Sequence, residues 1–385
     1  MSLRRPLRRA LLRALGASAI LSSVCCTAPK QAFVLSSEQR LLMSYEEAMR
    51  AERPKEARDA ATRLFATERE PWVQVLVARA WVAGGNRDEA FRALSDAIDS
   101  FARDPIGAGP MAIDLAQSLE STDDDWAPIR SDARFPSLLA RAKAATWKPG
   151  VLAFDDAPCA NPPRTVRPQV DSDPLRTLRR EYALDAVIAG ASDDLDRVRR
   201  MCSWVHGRAT HDGWGIDAPP DALGLLRAAG KGAQWRCVEF GIAVAGCLNA
   251  VGIPARVVGG RARDVETLMV GAGHVFAEAW LDDRGRWVFV DAQMDIVGVD
   301  AGGTPMNSAE FRNSLARADP PIPYPLGLAL CMHFLIMPAQ TAAGRDIDVM
   351  LAPLGSGMPT KFQRLPSDPP GLFTHRLADA YAAPR

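Results

Sequence analysis

The sequence predicts an α+β protein, in which an all-helical, repeat-like region precedes a domain with a buried helix packed on an antiparallel sheet. Three observations support this prediction. Apolar residues recur at helical spacing throughout residues 36–145, and Gly and Pro fall between the segments. Residues 238–251 are apolar on every side, which is typical of a helix covered all round. Apolar and polar residues alternate over 274–282 and 286–293, as in the two strands of a β-hairpin.

The length and composition are those of a globular protein with two domains. The 385 residues exceed what one small core requires, and 48% of them are hydrophobic and 24% charged. The 46 Lys and Arg residues balance 46 Asp and Glu residues, and the basic residues are scattered among the acidic ones. Because a nucleic-acid-binding surface needs a basic patch or stripe, we expect no nucleic acid as a partner.

Residues 1–28 have the layout of a secretory signal peptide. They contain five Arg and no acidic residue, and an apolar stretch of 11 residues that is too short to span a bilayer. The stretch ends at Cys25 and Cys26 and resembles a lipoprotein signal, with ordinary cleavage after Ala28 as the alternative. We therefore expect an exported protein, which is either periplasmic or anchored to the membrane as a lipoprotein.

Residues 30–148 are predicted to form a helical domain. Small and aromatic residues stand where the two helices of a hairpin would pack closely, at Ala78, Trp81, Gly85, Ala90 and Ala97. This pattern resembles a tetratricopeptide repeat, and Ala57 precedes Ala90 by 33 residues, which is one repeat length. An unrelated helical bundle is the alternative, since such repeats need about three copies to bury a continuous core.

Two segments rich in Pro and Gly flank the second domain, which we place at 175–340. Residues 149–174 contain six Pro and no helical period, and are predicted to be an interdomain linker. Residues 341–385 combine Pro and Gly with short apolar pieces, and are predicted to be a C-terminal tail packed on the core.

Cys237 is predicted to lie at the N-terminus of the buried helix. Gly252 ends this helix and Pro254 prevents its continuation, so that residues 256–258 can run as a strand. At a helix N-terminus, free backbone N–H groups and the positive end of the helix dipole favour a thiolate over a thiol. A cysteine nucleophile needs this environment, and a small core residue is the alternative interpretation of Cys237.

The hairpin is predicted to place an imidazole beside a carboxylate. If Asp282 pairs with Gly285, His274 lies opposite Gln293, and Asp291 is its diagonal neighbour on the same face. A slip of one residue would put the two side chains on opposite faces of the sheet. An imidazole backed by a carboxylate is the arrangement that fixes the tautomer of a catalytic base and stabilises its charged form.

Together these features resemble the core of the transglutaminase-like superfamily, whose fold is papain-like. The motifs are Cys237 at the start of a buried helix, Leu248-x-x-x-Gly252-Ile253-Pro254-Ala255-Arg256, His274-x-x-x-Glu278 and Trp287-x-x-x-Asp291. The resemblance covers residues 175–320 and implies that 175–340 is a transglutaminase-like catalytic domain. It also implies the family's catalytic triad, which falls on Cys237, His274 and Asp291 in the family's chain order.

The resemblance implies acyl transfer through a thioester, with no cofactor. The thiolate would attack the carbonyl of a peptide or protein amide, and water or a second amine would resolve the thioester. The oxyanion would be held by the backbone N–H of the nucleophile and one polar side chain, for which Gln234, Trp235 and Gln293 are candidates. The family includes cross-linking acyltransferases, cysteine proteases and amidases, and the sequence leaves the choice between hydrolysis and transamidation open.

A non-catalytic function is the competing hypothesis. In it, the helical region of an envelope lipoprotein binds a protein partner, and the papain-like region has lost its activity. Members of the family that have lost catalysis usually lack the Cys or the His, whereas this chain keeps all three residues of the triad.

The cysteine pattern predicts neither a zinc site nor complete disulfide pairing. Five cysteines follow the leader, at Cys159, Cys202, Cys237, Cys247 and Cys331. An odd number leaves at least one thiol outside intramolecular disulfides. These five residues form no CxxC pair and the chain contains only five His, so we expect no metal.

Overall fold

The computed structural model describes residues 37–67, 71–103, 109–121, 124–145, 150–211, 219–263, 265, 273–317, 322, 324–359 and 371–385. The predicted leader at 1–28 lies outside these residues. The chain divides into two compact units, one containing the described residues up to 145 together with Pro325–Gly327, and the other containing those at 150–324 and 328–385. No helix among the described residues is both long enough and apolar enough to cross a bilayer.

The first unit consists of helices joined by short turns, wherever the structure describes it. The helices are α1 (Ser37–Arg50), α2 (Pro54–Thr67), α3 (Pro71–Ala83), α4 (Arg87–Arg103), α5 (Gly109–Glu120), α6 (Ala127–Arg130) and α7 (Phe135–Ala144), with a 3₁₀ turn at Asp124–Trp126. Helix α1 packs on α2 and α3 packs on α4, which gives two consecutive helical hairpins. The predicted N-terminal helical region is confirmed.

Small side chains shape the hairpin of α3 and α4. Ala78, Ala90 and Ala97 are completely buried, so the two helices can approach each other closely. Gly85 has a φ of 77° just after α3, a left-handed conformation that favours Gly at the end of a helix. Close packing through Ala is common to many helical bundles, so the likeness to a tetratricopeptide repeat stays a prediction.

From residue 150 onward, the described residues form helices around one mixed sheet. The helices are α8 (Asp173–Glu181), α9 (Leu184–Ile188), α10 (Asp194–His206), α11 (Ala222–Ala229), α12 (Cys237–Ala250), α13 (Ser308–Ser314), α14 (Leu326–Leu330) and α15 (Leu377–Ala380). The strands are β1 (Ala255–Arg261), β2 (Gly273–Leu281), β3 (Arg286–Asp291), β4 (Ile296–Val297), β5 (Phe334–Gln340), β6 (Asp346–Leu351) and β7 (Gly371–Thr374).

The strands lie in the order β4-β3-β2-β1-β5-β6-β7. Every neighbouring pair is antiparallel except β6 and β7, which are parallel. A helical region followed by a buried helix on a largely antiparallel sheet is the predicted α+β fold class, which is confirmed.

Strands β2 and β3 form the predicted hairpin in the predicted register. Trp280 pairs with Trp287, as the alignment of Asp282 with Gly285 requires. Gly285 has a φ of 62°, a conformation that Gly adopts without steric cost in a tight turn. The register is therefore the one that keeps the predicted imidazole and carboxylate on the same face.

Helix α12 is covered by the sheet and by α8, α10 and α11, which explains why its apolar residues surround it. Gly241 allows α12 to approach β2 closely, since a Cβ at this position would lie 3.0 Å from Val275 Cγ1 and 3.2 Å from the Phe276 carbonyl oxygen. Gly246 allows the same kind of approach to Ala222 in α11. The start of the helix is thereby held against the beginning of β2.

A buried ion pair joins β1 to β2. Arg256 Nη2 and Nε donate to Glu278 Oε2 at 2.6 and 3.0 Å, and both side chains are buried. The other carboxylate oxygen accepts hydrogen bonds from the backbone N–H and the hydroxyl of Ser308, at 2.8 and 2.6 Å. The guanidinium also lies over the ring of Trp287, 4.1 Å from its centroid. Glu278, which is part of the His274-x-x-x-Glu278 motif, therefore has a structural role: it links β2 to Arg256 on β1 and to Ser308 on α13.

The described residues of 149–174, the predicted linker, are hydrogen bonded to the second unit. The Arg164 backbone donates to and accepts from the Gln340 backbone, in both directions at 2.9 Å. The Asp155 N–H donates to the His375 carbonyl at 2.8 Å. Because these backbone groups pair with the sheet and the C-terminal segment, this Pro-rich stretch is part of the second unit rather than a free connection.

Residues 341–385, predicted to be a tail packed on the core, contribute β6, β7 and α15 to the second unit. Strand β6 continues the sheet beyond β5, and β7 forms its last strand. The indole N–H of Trp287 donates to the Ala382 carbonyl at 3.0 Å, which ties the end of the chain to the hairpin. The segment therefore extends the sheet as well as covering it.

Replacement of Glu278 by Ala should lower the free energy of unfolding of the second unit by about 3–5 kcal/mol, because it leaves the Arg256 guanidinium buried without its carboxylate. Urea unfolding followed by tryptophan fluorescence measures this change. Arg167→Ala is the control, since Arg167 pairs with Asp282 at a half-exposed site and its loss should cost at most about 1 kcal/mol. Equal losses in the two variants would contradict the structural role assigned to the buried pair.

Candidate active site

The thiol of Cys237 is at the first position of α12. The residue is buried, with 5% of its surface exposed, and packs with Val238 and Val275. The turn is closed by Glu239, whose carboxylate accepts hydrogen bonds from the Arg236 backbone N–H at 2.7 Å and from the Arg236 guanidinium at 2.5 Å. The Arg236 guanidinium also forms an ion pair with Glu239, so the carboxylate that caps the first turn of α12 has its negative charge balanced.

His274 connects the thiol to a carboxylate. Its Nε2 lies 2.8 Å from Asp291 Oδ2, and both side chains are almost completely buried. The side chain of Cys237 is close enough to the same imidazole to favour its charged form. The three residues singled out in the sequence are thus in contact in the order Cys, His, Asp, and their catalytic roles remain a prediction.

The environment of His274 favours its charged form. Burial disfavours the imidazolium, but the negative charge of Asp291, the hydrogen bonds to Asp291 and Cys237, and the charge of a Cys237 thiolate outweigh burial. Together they raise the pKa of His274 to about 10. At neutral pH the imidazole of His274 is therefore charged, as it must be to pair with a thiolate at Cys237.

The carboxylate of Asp291 is fully hydrogen bonded. Its Oδ1 accepts from the backbone N–H groups of Gln293 and Met294, at 3.0 and 3.3 Å. Its Oδ2, which binds His274, also accepts a hydrogen bond of 2.7 Å from the hydroxyl of Tyr324. Sequence reasoning missed Tyr324, because it lies 33 residues after Asp291 and carries no motif.

The three candidate oxyanion donors differ in their surroundings. Gln234 is exposed and its amide donates to Thr210 Oγ1 at 3.1 Å, so it is engaged elsewhere. Trp235 is completely buried, and its indole Nε1 has no hydrogen-bond partner among the described residues. Gln293 is buried, with an Oε1 that accepts no hydrogen bond from the described part of the chain. The choice of an oxyanion donor among the three stays a prediction.

The other cysteines are in different environments. None of the five described cysteines forms a disulfide. Burial raises the pKa of the Cys247 thiol to about 12, and burial with the nearby charges of Asp295 and Asp291 raises the pKa of the Cys202 thiol well above its usual value. Within the described ranges, no three His, Cys, Asp or Glu side chains are grouped so that they could hold a metal ion.

The proton on His274 provides a direct test of this geometry. In ¹H–¹⁵N imidazole spectra, the His274 ring should remain charged through pH 8 and lose its proton near pH 10, and Asp291→Asn should lower this pKa because it removes the carboxylate charge. His333 is an internal control, because burial and the nearby charges of Arg263 and Arg312 lower its pKa to about 4. A His274 pKa near 6.5 in the folded wild type would contradict the described pair.

A family model covers Cys237, His274 and Asp291. Residues 182–292 match the model of the Transglutaminase-like superfamily. Among solved structures, a "Putative Cysteine Protease" from Cytophaga hutchinsonii is similar at 18% identity and a TM-score of 0.26; the match covers 37% of this chain and 49%, about half, of that one. No curated protein matches the chain. The chain therefore carries a domain of the transglutaminase-like superfamily at residues 182–292.

Proposed function

We propose that this protein is a thiol-dependent acyl-transfer enzyme of the transglutaminase-like type, acting on peptide or protein amides. The observation that carries the proposal is the buried chain of contacts from the thiol of Cys237 through His274 to Asp291. The position of the thiol at a helix N-terminus adds to it, because the helix dipole stabilises a thiolate there.

The proposed reaction starts from the ion pair of the Cys237 thiolate and the His274 imidazolium. The sulfur forms a bond to the amide carbonyl carbon, and the carbonyl oxygen takes the negative charge. As the C–N bond breaks, His274 gives its proton to the departing amine and a thioester remains. Asp291 holds the imidazole in place and stabilises its charged state throughout.

The second half of the reaction restores the enzyme. Water or a second amine attacks the thioester carbonyl, and neutral His274 takes the proton from this nucleophile. The C–S bond breaks, and the sulfur leaves as the thiolate beside the regenerated imidazolium. Attack by water releases an acid, so the enzyme would be a peptidase or amidase, whereas attack by an amine forms a new amide, so it would be a transamidase.

Alkylation of Cys237 at mildly acidic pH tests the nucleophile without a known substrate. At about pH 5.5 only about 10⁻³ of an ordinary thiol is ionised, so a preformed thiolate should react with iodoacetamide about 10²-fold faster. Mass spectrometry locates the label. Selective labelling of Cys237 that His274→Ala abolishes is the expected result, with the half-exposed Cys159 as the control thiol.

Labelling of Cys237 no faster than that of Cys159 in the folded wild type would overturn the proposal. The protein would then be better described as a non-catalytic scaffold or binding protein, with a partner bound by the helical first unit. If Cys237 is selectively labelled, amide substrates can be screened, and Asp291→Asn should lower turnover by about 10²–10⁴-fold.

We also propose that the protein acts outside the cytoplasm, on the basis of the leader at 1–28. Cell fractionation of the full chain should place it in the envelope, and a labelled fatty acid should be incorporated if Cys25 or Cys26 is lipidated. Cys25→Ser with Cys26→Ser would abolish the label, whereas recovery of the unmodified, full-length chain in the cytoplasm would contradict export.

A further inference from the structure

Tyr324 reaches the site from a segment distant in sequence. Its side chain is buried, with 6% of the residue exposed, and its hydroxyl donates to Asp291 Oδ2 at 2.7 Å. This oxygen is the one that lies 2.8 Å from His274 Nε2. Two donors on different segments therefore share one carboxylate oxygen.

The aromatic ring of Tyr324 is held independently of its hydroxyl. It lies edge-on to Phe289 and Phe311, with ring centroids 5.7 and 5.2 Å away, and these two rings stack on each other at 4.2 Å. Phe289 belongs to β3, the strand that ends at Asp291. The packing fixes the ring against the strand and directs its hydroxyl to the carboxylate.

A second donor on the same oxygen has two physical consequences. It restricts the rotation of the Asp291 carboxyl group, so that Oδ2 remains aimed at the imidazole. It also stabilises the ionised form of the carboxylate, because a hydrogen bond to a charged group favours that charge, and so it makes Oδ2 a weaker base. Asp291 consequently raises the pKa of His274 by less than it would without the Tyr324 hydroxyl.

We propose that Tyr324 is a positioning residue of the His274–Asp291 pair, which orients the carboxylate and limits how strongly it retains the imidazolium. This inference rests on the proposed function, in which His274 must give its proton to the departing amine. An imidazolium held too tightly would donate poorly, and one held too weakly would not maintain the thiolate of Cys237. The hydroxyl of Tyr324 sets the balance between the two.

Other titratable groups lie around this pair and are present in the wild type and in a Tyr324 variant alike. They are Cys237 on α12, Arg261 on β1, Cys331 ahead of β5, Cys202 and His206 on α10, and Asp295 ahead of β4. The Cys202 thiol and the Tyr324 hydroxyl are kept protonated by burial, which raises the pKa of both. A shift seen on removal of the Tyr324 hydroxyl alone therefore reports on the hydrogen bond to Asp291.

Tyr324→Phe in the full chain tests the proposal, since it keeps the ring contacts and removes only the hydroxyl. Because more negative charge then remains on Asp291, the pKa of His274 should rise by roughly half to one pH unit. The His274 pKa is measured from imidazole NMR spectra.

Tyr381→Phe is the matched control. Tyr381 is a buried tyrosine whose hydroxyl accepts a hydrogen bond from the Ala309 N–H at 3.2 Å, next to the Arg256–Glu278 pair. Removal of the Tyr381 hydroxyl should leave the pKa of His274 unchanged. A 3-fluorotyrosine at position 324 should shift the His274 pKa down, because a more acidic phenol donates more strongly, and this isosteric variant retains the fold if Tyr324→Phe does not.

The results separate the two proposals. An unchanged His274 pKa in folded Tyr324→Phe and in the 3-fluorotyrosine variant would overturn the role of Tyr324, whatever the reactivity of Cys237. If wild-type Cys237 is unreactive while the His274 pKa shifts as expected, the positioning role stands and the proposed acyl transfer fails. Shifts in opposite directions for the two variants, with none in Tyr381→Phe, support the proposal.

Discussion

The site depends on the register of one hairpin. With Trp280 opposite Trp287, the beginning of β2 and the end of β3 bring His274 and Asp291 into contact at 2.8 Å, and a slip of one residue would direct their side chains to opposite faces. The tight turn at Gly285 holds this register. The charge on the imidazole depends on that pairing, because it brings the Asp291 carboxylate to His274.

Strand β2 carries two buried charged side chains with different purposes. Both oxygens of Glu278 are occupied by Arg256 and Ser308, so the carboxylate is neutralised in place and contributes to the fold. The imidazolium of His274 is paired with the Asp291 carboxylate and is also stabilised by the nearby side chain of Cys237. His274 can exchange a proton with Cys237, because the thiol is itself a titratable group. Glu278 has no such partner, because Arg256 and Ser308 occupy both of its oxygens.

The long-range parts of the second unit support this centre. Gly241 lets α12 pack closely on β2, so Cys237 at the start of the helix lies against the first residues of that strand. The C-terminal strands β6 and β7 extend the sheet beyond β5, and the Pro-rich segment bonds to β5 through the backbones of Arg164 and Gln340. Tyr324 adds a hydrogen bond that neither the helix nor the hairpin can supply.

Local patterns in the sequence determined the helical first region, the buried helix, the hairpin and its register, and the order of Cys237, His274 and Asp291. These features depend on hydrogen bonds and burial between residues close in the chain, which periodicity and turn residues report. The tertiary structure alone decided that Tyr324 binds Asp291, and that the Pro-rich stretch and the C-terminal segment join the sheet. Such contacts depend on how distant segments pack, and no local period encodes them.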